Sequence, residues 1–240
     1  MQAILFSAGL GTRLQPLTNN LPKALAPFYK TTLLAYNIEF LKSQGVNSFV
    51  INTHHFHEKI EDYLTINHNF NTNIHISYEH DLLDTAGALI LANNLFNHNE
   101  ILLYNVDVIS NIDIKKLFDF HKNNSNDITL ATSNRESSRK IIFSDSGLMI
   151  GWKNMKTGEI KSCNDRLIST DKAFSGISVL NTSLIELIGD IQKKSLIAFY
   201  LEICKVKKIC SYDHSEDYWF DCGTISKLKI AEKFIESVKK

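Results

Sequence analysis

The sequence predicts an α/β fold, a mostly parallel sheet with helices on both faces, and two observations carry the prediction. From Met1 through Ala131, short apolar runs of strand length alternate with segments whose apolar residues recur at helical spacing. Crossovers of this kind return the chain to a parallel neighbour and cover the sheet on both sides. From Arg135 to Asn164 the pattern changes to short polar segments with hairpin signals at Ser144–Gly147 and Lys156–Gly158, which predicts a small antiparallel side sheet or lid.

In order, Ala3–Phe6 has the length and bulk of a buried strand. Leu33–Leu41 reads as a helix, with Thr31 or Thr32 placed to cap it and Gly45 to end it. Phe49–Ile51 is a strand, Glu58–Leu64 a helix and Ile74–Tyr78 a strand; a helix over Thr85–Leu95 and a strand from Ile101 to Val106 follow. Ile114–His121 and Ile128–Ala131 continue the alternation. Ala173–Leu180 is a further strand, Leu184–Ile188 and Ser195–Cys204 are helices, and a last strand lies near Tyr218–Phe220. Ile225–Val238 closes the chain as an amphipathic helix before Lys239-Lys240.

A chain of 240 residues with 44% hydrophobic content can bury one sizeable core, so residues 1–240 are expected to form one domain, with about 135–164 as an insertion. Lys and Arg, 26 together, balance 26 Asp and Glu, which argues against nucleic acid as a partner. No apolar run approaches membrane-spanning length and the first residues already form a strand, so a cytoplasmic location away from membranes is expected. Cys163, Cys204, Cys210 and Cys222 form no CxxC pair and no zinc spacing, and read as reduced thiols.

The chemistry centres on Ser7–Pro27. Gly9 and Gly11 let the backbone turn and approach a ligand closely, and successive amides in such a turn form a concave anion site. Arg13 and Lys23 add a planar fork and a mobile point charge suited to a polyphosphate. A Walker loop is excluded, because Lys23 is far from Gly11 and is followed by Ala24; a dinucleotide fingerprint is excluded, because Leu14 stands where its third glycine belongs. Together, Gly9-x-Gly11-Thr12-Arg13, Pro16, Thr18 and Pro22-Lys23 resemble the signature of the sugar-1-phosphate nucleotidyltransferases, enzymes that join a nucleoside triphosphate to a sugar phosphate and release pyrophosphate.

Two carboxylates follow strands, Asp107 after Asn105-Val106 and Asp221 after Trp219-Phe220, and such a pair suits octahedral Mg²⁺. Taken alone, each could be a turn or capping residue. The resemblance implies a Rossmann-like sheet of the nucleotide-diphospho-sugar transferase type, with Mg²⁺ on Asp107 and Asp221 beside the sugar phosphate. It implies Arg13 and Lys23 as the catalytic charges, and nucleotide contacts from Ala8, Gly9, Gly11, Thr12 and Asn105. It also implies that Glu79, Thr85, Ala86 and Gly87 face the base, and that Gly176 in Phe174–Leu180 holds the sugar. A glycine inside a strand otherwise signals a bulge. Asp84 or Thr85 is placed to cap the helix that follows.

The compact length, the Thr85-Ala86-Gly87 loop and Phe174–Leu180 look most like the short bacterial uridylyltransferases that act on N-acetylmuramic acid 1-phosphate in cell-wall recycling. This implies UTP and a sugar 1-phosphate as partners, and a monomer or small homo-oligomer. Guanylyl transfer to mannose or heptose 1-phosphate is the nearest alternative. Cytidylyl transfer to phosphocholine, with Trp152 and Tyr218 as a cage, and a non-catalytic nucleotide-sugar sensor are others. The chain departs from the larger relatives in having no Glu-Lys pair before Phe174, no β-helix after the last helix, and Val106 in place of a glycine. His54, His55 and His57 read as a strand-to-helix turn, and Lys153 as a solvated or phosphate-reaching lysine.

Overall fold

The computed structural model describes residues 1–163 and 169–239. Asn164, the last residue of the expected insertion, and Lys240 lie outside the described residues. The fully buried run Gln2–Phe6 forms β1. The loop that follows ends in a two-residue ladder of β2 (Pro27–Phe28) and β3 (Thr31–Thr32). Then come α1 (Leu33–Ser43), β4 (Ser48–Thr53), α2 (His57–Ile66), β5 (Asn73–Tyr78) and α3 (Asp84–Leu91). Thr32 caps α1, its hydroxyl accepting the Ala35 N–H at 3.2 Å. The chain continues through β6 (Glu100–Asn105), β7 (Val108–Ser110), α4 (Ile114–Asn123) and β8 (Ile128–Ser133). Three short antiparallel strands follow, β9 (Arg139–Ser144), β10 (Met149–Asn154) and β11 (Ile160–Ser162). The last part comprises β12 (Ser169–Asn181), α5 (Leu196–Ile203), β13 (Ile209–Asp213), β14 (Trp219–Asp221) and α6 (Ile225–Val238).

The sheet runs β11-β10-β9-β12-β6-β1-β4-β5, with β8 beside β12 and β13 beside β8. β5, β4, β1 and β6 are parallel, and β12 runs against both β6 and β8. Alternate residues of each strand face opposite layers. Ala3 and Leu5 pack with α1, α2 and α4, whereas Ile4 and Phe6 pack with α3 and α5. A third cluster sets Leu228, Ala231 and Ile235 of α6 against Leu14, Phe28 and Leu33, so the closing helix braces the glycine loop. Glu232 reinforces that contact by accepting the Tyr29 N–H at 3.1 Å.

The expected antiparallel side sheet is present, and it is continuous with the main sheet through β12, which pairs with β9 at one end and with β6 at the other. Other expectations are corrected. The helix over 85–95 breaks at Ala92, and Asn93–Leu95 forms a separate 3₁₀ turn. The segment Thr182–Ile188 is also 3₁₀. β13 went unrecognised because Ile209–Asp213 is short and has a lysine-rich approach. The last strand leaves the main sheet and pairs with β7. The four cysteines are not all reduced: Cys163 and Cys204 are joined in a disulfide, while Cys210 and Cys222 are buried and free. A separation of 41 residues gave no spacing signal, and only the meeting of the β11 end with the end of α5 brings the two together. Among the described residues no helix is long and apolar enough to cross a membrane.

Candidate active site

The loop leaving β1 is fixed at its root by Asn52, whose Oδ1 accepts the Ser7 N–H at 2.6 Å. Gly11 adopts φ 67°, a left-handed conformation natural to glycine, and its carbonyl accepts the Thr18 hydroxyl at 2.8 Å. A Cβ there would lie 3.0 Å from Thr18 Cγ2 and 3.1 Å from Lys23 Cβ, so Gly11 lets the loop fold back onto Lys23. Ala24 and Leu25, both buried, anchor the turn that Lys23 opens. The Lys23 ammonium lies 2.5 Å from Asp107 Oδ2.

Asp107 follows β6 by one residue. Val106 before it is fully buried, and its carbonyl accepts Asn37 Nδ2 at 2.8 Å, so a β-branched residue fills core space there without disturbing the turn. The β7–β14 ladder sets Asp221 opposite Val108, and the Cys222 N–H donates to the Asp107 carbonyl at 2.7 Å. Asp221 is held by the Gly223 N–H at 2.9 Å and by Lys227 Nζ at 2.7 Å. Burial pushes its carboxyl upward, but the Lys227 and Gly223 hydrogen bonds, with the charges of Lys227 and Arg13, outweigh burial and hold it below the usual range.

Gly223 marks where the charges converge. A Cβ at this position would lie 2.8 Å from Arg13 Nη2, 2.8 Å from Asp221 Oδ1 and 3.2 Å from Asp107 Oδ2. With the Lys23–Asp107 pair, the four charged groups expected from sequence therefore meet around one point. The two carboxylates already balance two ammonium groups, and an oxygen-donor set of this kind suits a hard divalent cation whose other positions are filled by phosphate and water. Among the described residues no group of three or more His, Cys, Asp or Glu offers a fuller set.

Three adjoining cavities of about 540, 530 and 460 Å³ share Asn105 and Arg139, and the first two open over this point. The first holds Ala8, Gly9, Arg13, Lys23 and Glu79; the second holds Asp107, Asp221 and Gly176; the third runs past Gly176 to Trp152. Thr12 and Gly11 line none of them.

The segment expected to face the base is organised differently. Glu79 is 1% exposed, and its two oxygens accept Asn52 Nδ2 at 2.6 Å and the Leu83 N–H at 2.8 Å. Burial raises its pKa against those two hydrogen bonds. Glu79 thus ties the loop to Asn52, and through Asn52 to Ser7. The Ala86 and Gly87 N–H groups both donate to the Lys194 carbonyl, at 2.9 and 3.2 Å, and neither residue lines a cavity. Thr85 does line two of them, but its hydroxyl accepts the Leu196 N–H of α5 at 2.9 Å. Neither Asp84 nor Thr85 caps α3; Leu83 holds the cap position and the Asp84 carboxylate takes the Thr85 N–H at 2.6 Å. A Cβ on Gly87 would lie 2.3 Å from the Gln192 carbonyl oxygen and 2.8 Å from Leu83 Cβ. Since backbone cannot yield as a side-chain tip can, Gly87→Ala is expected to cost about 1–3 kcal/mol and to lower Tm by several degrees in a thermal melt.

Gly176 sits in a bulge: the β12–β8 register shifts between Phe174 and Ser178, and φ is 72°. The same position is a close approach, since a Cβ would lie 2.6 Å from Asn105 Nδ2. His54 Nδ1 pairs with the Glu79 carbonyl at 2.9 Å, His57 with Glu61 at 3.2 Å, and His55 stacks on Phe56. Lys153 lies 3.7 Å from Asp171. Trp152 and Tyr218 do not converge; Trp152 lines the third cavity and Tyr218 packs on Phe220 and Phe234. Residues the sequence reading missed are Asn52, Arg139, Lys227 and Arg135, whose guanidinium lies over the Trp219 ring at 3.7 Å. Gly223, also not singled out, carried a signal as the glycine two places after Asp221.

With this geometry in place, the nucleotidyl transferase family profile matches residues 2–143. The chain belongs to the nucleotidyl transferase family. Among curated members it is 28% identical over 236 residues to mannose-1-phosphate guanyltransferase of Gibberella zeae, covering 93% of this chain and 61% of that one. It is 33% identical over 131 residues to D-glycero-alpha-D-manno-heptose 1-phosphate guanylyltransferase of Aneurinibacillus thermoaerophilus, covering 55% and 56%. The chain thus spans about three-fifths of the curated relatives it matches. The nucleotidyl transferase fold is shared with HddC from Yersinia pseudotuberculosis complexed with GMP-PN, at TM-score 0.79 and 18% identity over 98% of this chain and 99% of that one.

Proposed function

We propose that this nucleotidyl transferase moves a nucleotidyl group from a nucleoside triphosphate to a sugar 1-phosphate, releasing pyrophosphate in the cytoplasm, as a monomer or small homo-oligomer. The observation that supports it is the meeting of Arg13, Lys23, Asp107 and Asp221 around Gly223 on the floor of a cleft with room for two ligands. An acceptor phosphate oxygen attacks the α-phosphorus in line, and the β,γ-diphosphate leaves. Such transfers need alignment and charge neutralisation more than covalent help. Arg13 binds the departing phosphates; Lys23 moves from Asp107 to the α-phosphate and the acceptor phosphate. Asp107 and Asp221 would hold Mg²⁺, which supplies charge neutralisation between the two phosphates. A general base is unnecessary, because a phosphate monoester is already ionised near neutral pH. Retention of all four charges speaks against a non-catalytic sensor.

For the base, GTP is favoured over UTP. The two curated relatives named above are guanylyltransferases, and the acceptors in their names are mannose and heptose 1-phosphates. Uridylyl transfer to N-acetylmuramic acid 1-phosphate, for cell-wall supply, is the second reading and rests on the form of Thr85-Ala86-Gly87 and Phe174–Leu180. Separation of Trp152 from Tyr218 leaves phosphocholine without its cage. Pyrophosphate release from GTP, UTP, CTP and dTTP across a panel of sugar 1-phosphates tests the proposal. GTP with mannose or heptose 1-phosphate is expected to exceed UTP pairs by about tenfold or more, a difference of ~1.4 kcal/mol in the transition state. No pyrophosphate from any pair sinks it.

A further inference from the structure

Ser175, whose side chain is fully buried, forms part of the wall of the second cavity, and His214, 3% exposed, lies against it. His214 Nε2 lies 2.6 Å from Ser175 Oγ. The Ser175 carbonyl accepts Trp219 Nε1 at 2.8 Å, and the Phe174 carbonyl accepts Arg135 Nη2 at 2.6 Å. Asn105 closes the far side against Gly176. The backbone of His214 is itself fixed, its N–H donating to the Thr132 carbonyl of β8 at 3.0 Å. These contacts fall on the stretch where β12 loses its ladder with β8. A bulge is a local departure that neighbours must hold in place, and here the neighbours are side chains from three separate segments.

We infer that His214 is a positioning residue for the acceptor: through Ser175 it holds the Phe174–Gly176 bulge that shapes the acceptor end of the cleft. The inference rests on the transferase reading above. A nucleophilic role for Ser175 is excluded by its burial and by the 3.8 Å gap between His214 Nδ1 and the Asp217 carboxylate. The network touches neither Lys23 nor the loop around Gly9 and meets the nucleotide side only where Asn105 abuts Gly176, so its loss falls chiefly on the acceptor. Burial first, then the Arg135 charge, pushes His214 down to about 4 against the pull of Asp213, so its ring is neutral in the assay range.

Ser175→Ala, His214→Ala and His214→Gln test this by steady-state pyrophosphate release and by hydrogen–deuterium exchange over residues 170–181. Ser175→Ala and His214→Ala are expected to raise the acceptor KM about tenfold while the nucleotide KM moves less than about twofold. His214→Gln, which keeps a polar atom within reach of Ser175, is expected to recover most of the loss. Exchange over 170–181 is expected to speed up in both alanine variants. A nucleotide KM rising in step with the acceptor KM, or unaltered exchange with unaltered KM, overturns the inference. Ser175→Ala removes one oxygen only, so it reports even if His214→Ala fails to fold. Should the wild type release no pyrophosphate from any pair, the transferase reading falls and exchange alone decides: faster in the variants supports the clamp, unchanged refutes it.

Discussion

Lys23→Ala lowers turnover by about 10²–10³-fold, corresponding to ~2.7–4 kcal/mol, the effect typical of removing one preorganised charge stabiliser. Lys23 Nζ is the cation placed on Asp107, 2.5 Å from Oδ2, and among the described residues it is the one ion-pair partner of that carboxylate. Its removal leaves the transferred phosphate without its mobile partner and Asp107 unbalanced. Steady-state pyrophosphate release at saturating substrates reads the effect; turnover within a factor of a few of wild type would refute the role given to Lys23. Lys23→Arg is not expected to restore full rate, because a planar fork cannot take the place of the compact ammonium beside Asp107.

Gly223→Ala is the second large effect, and it separates function from stability. The added methyl meets Arg13 Nη2 and Asp221 Oδ1 at 2.8 Å, both ends of side chains that can move aside. Stability therefore falls by less than about 1.5 kcal/mol, the lower part of the range for single substitutions. Turnover falls by roughly tenfold to a hundredfold, since the atoms that move are the ones that must meet the phosphates. Thermal melting together with pyrophosphate release measures both; a large drop in Tm with normal turnover would show that Gly223 serves packing alone. Gly87→Ala is the contrasting case, with backbone as the obstacle.

The parallel half of the fold was legible because its strands and helices carry strong periodic signals, and the amphipathic helix expected over Ile225–Val238 is α6, which Thr224 caps. What sequence could not show was partnership at a distance. Asp107 and Asp221 were chosen as strand-end carboxylates, but their adjacency depends on the β7–β14 ladder, a pairing of residues more than a hundred positions apart. Glu79 was expected to face the base, yet its oxygens are engaged by Asn52 and Leu83, which no local pattern announces. Arg139 stood in a stretch read only as hairpin, because an exposed arginine on a short strand looks like any solvated one.

The thirteen residues of β12 have a mechanical consequence. At about 3.3 Å per residue the strand is a single rod of roughly 40 Å, clamped to β9 near one end and to β6 near the other. The β9–β11 hairpin therefore cannot swing on β12 as a door swings on a slack tether. Any rocking of the hairpin over the cleft must be taken up as torsion within 174–178, where the rungs to β8 are missing.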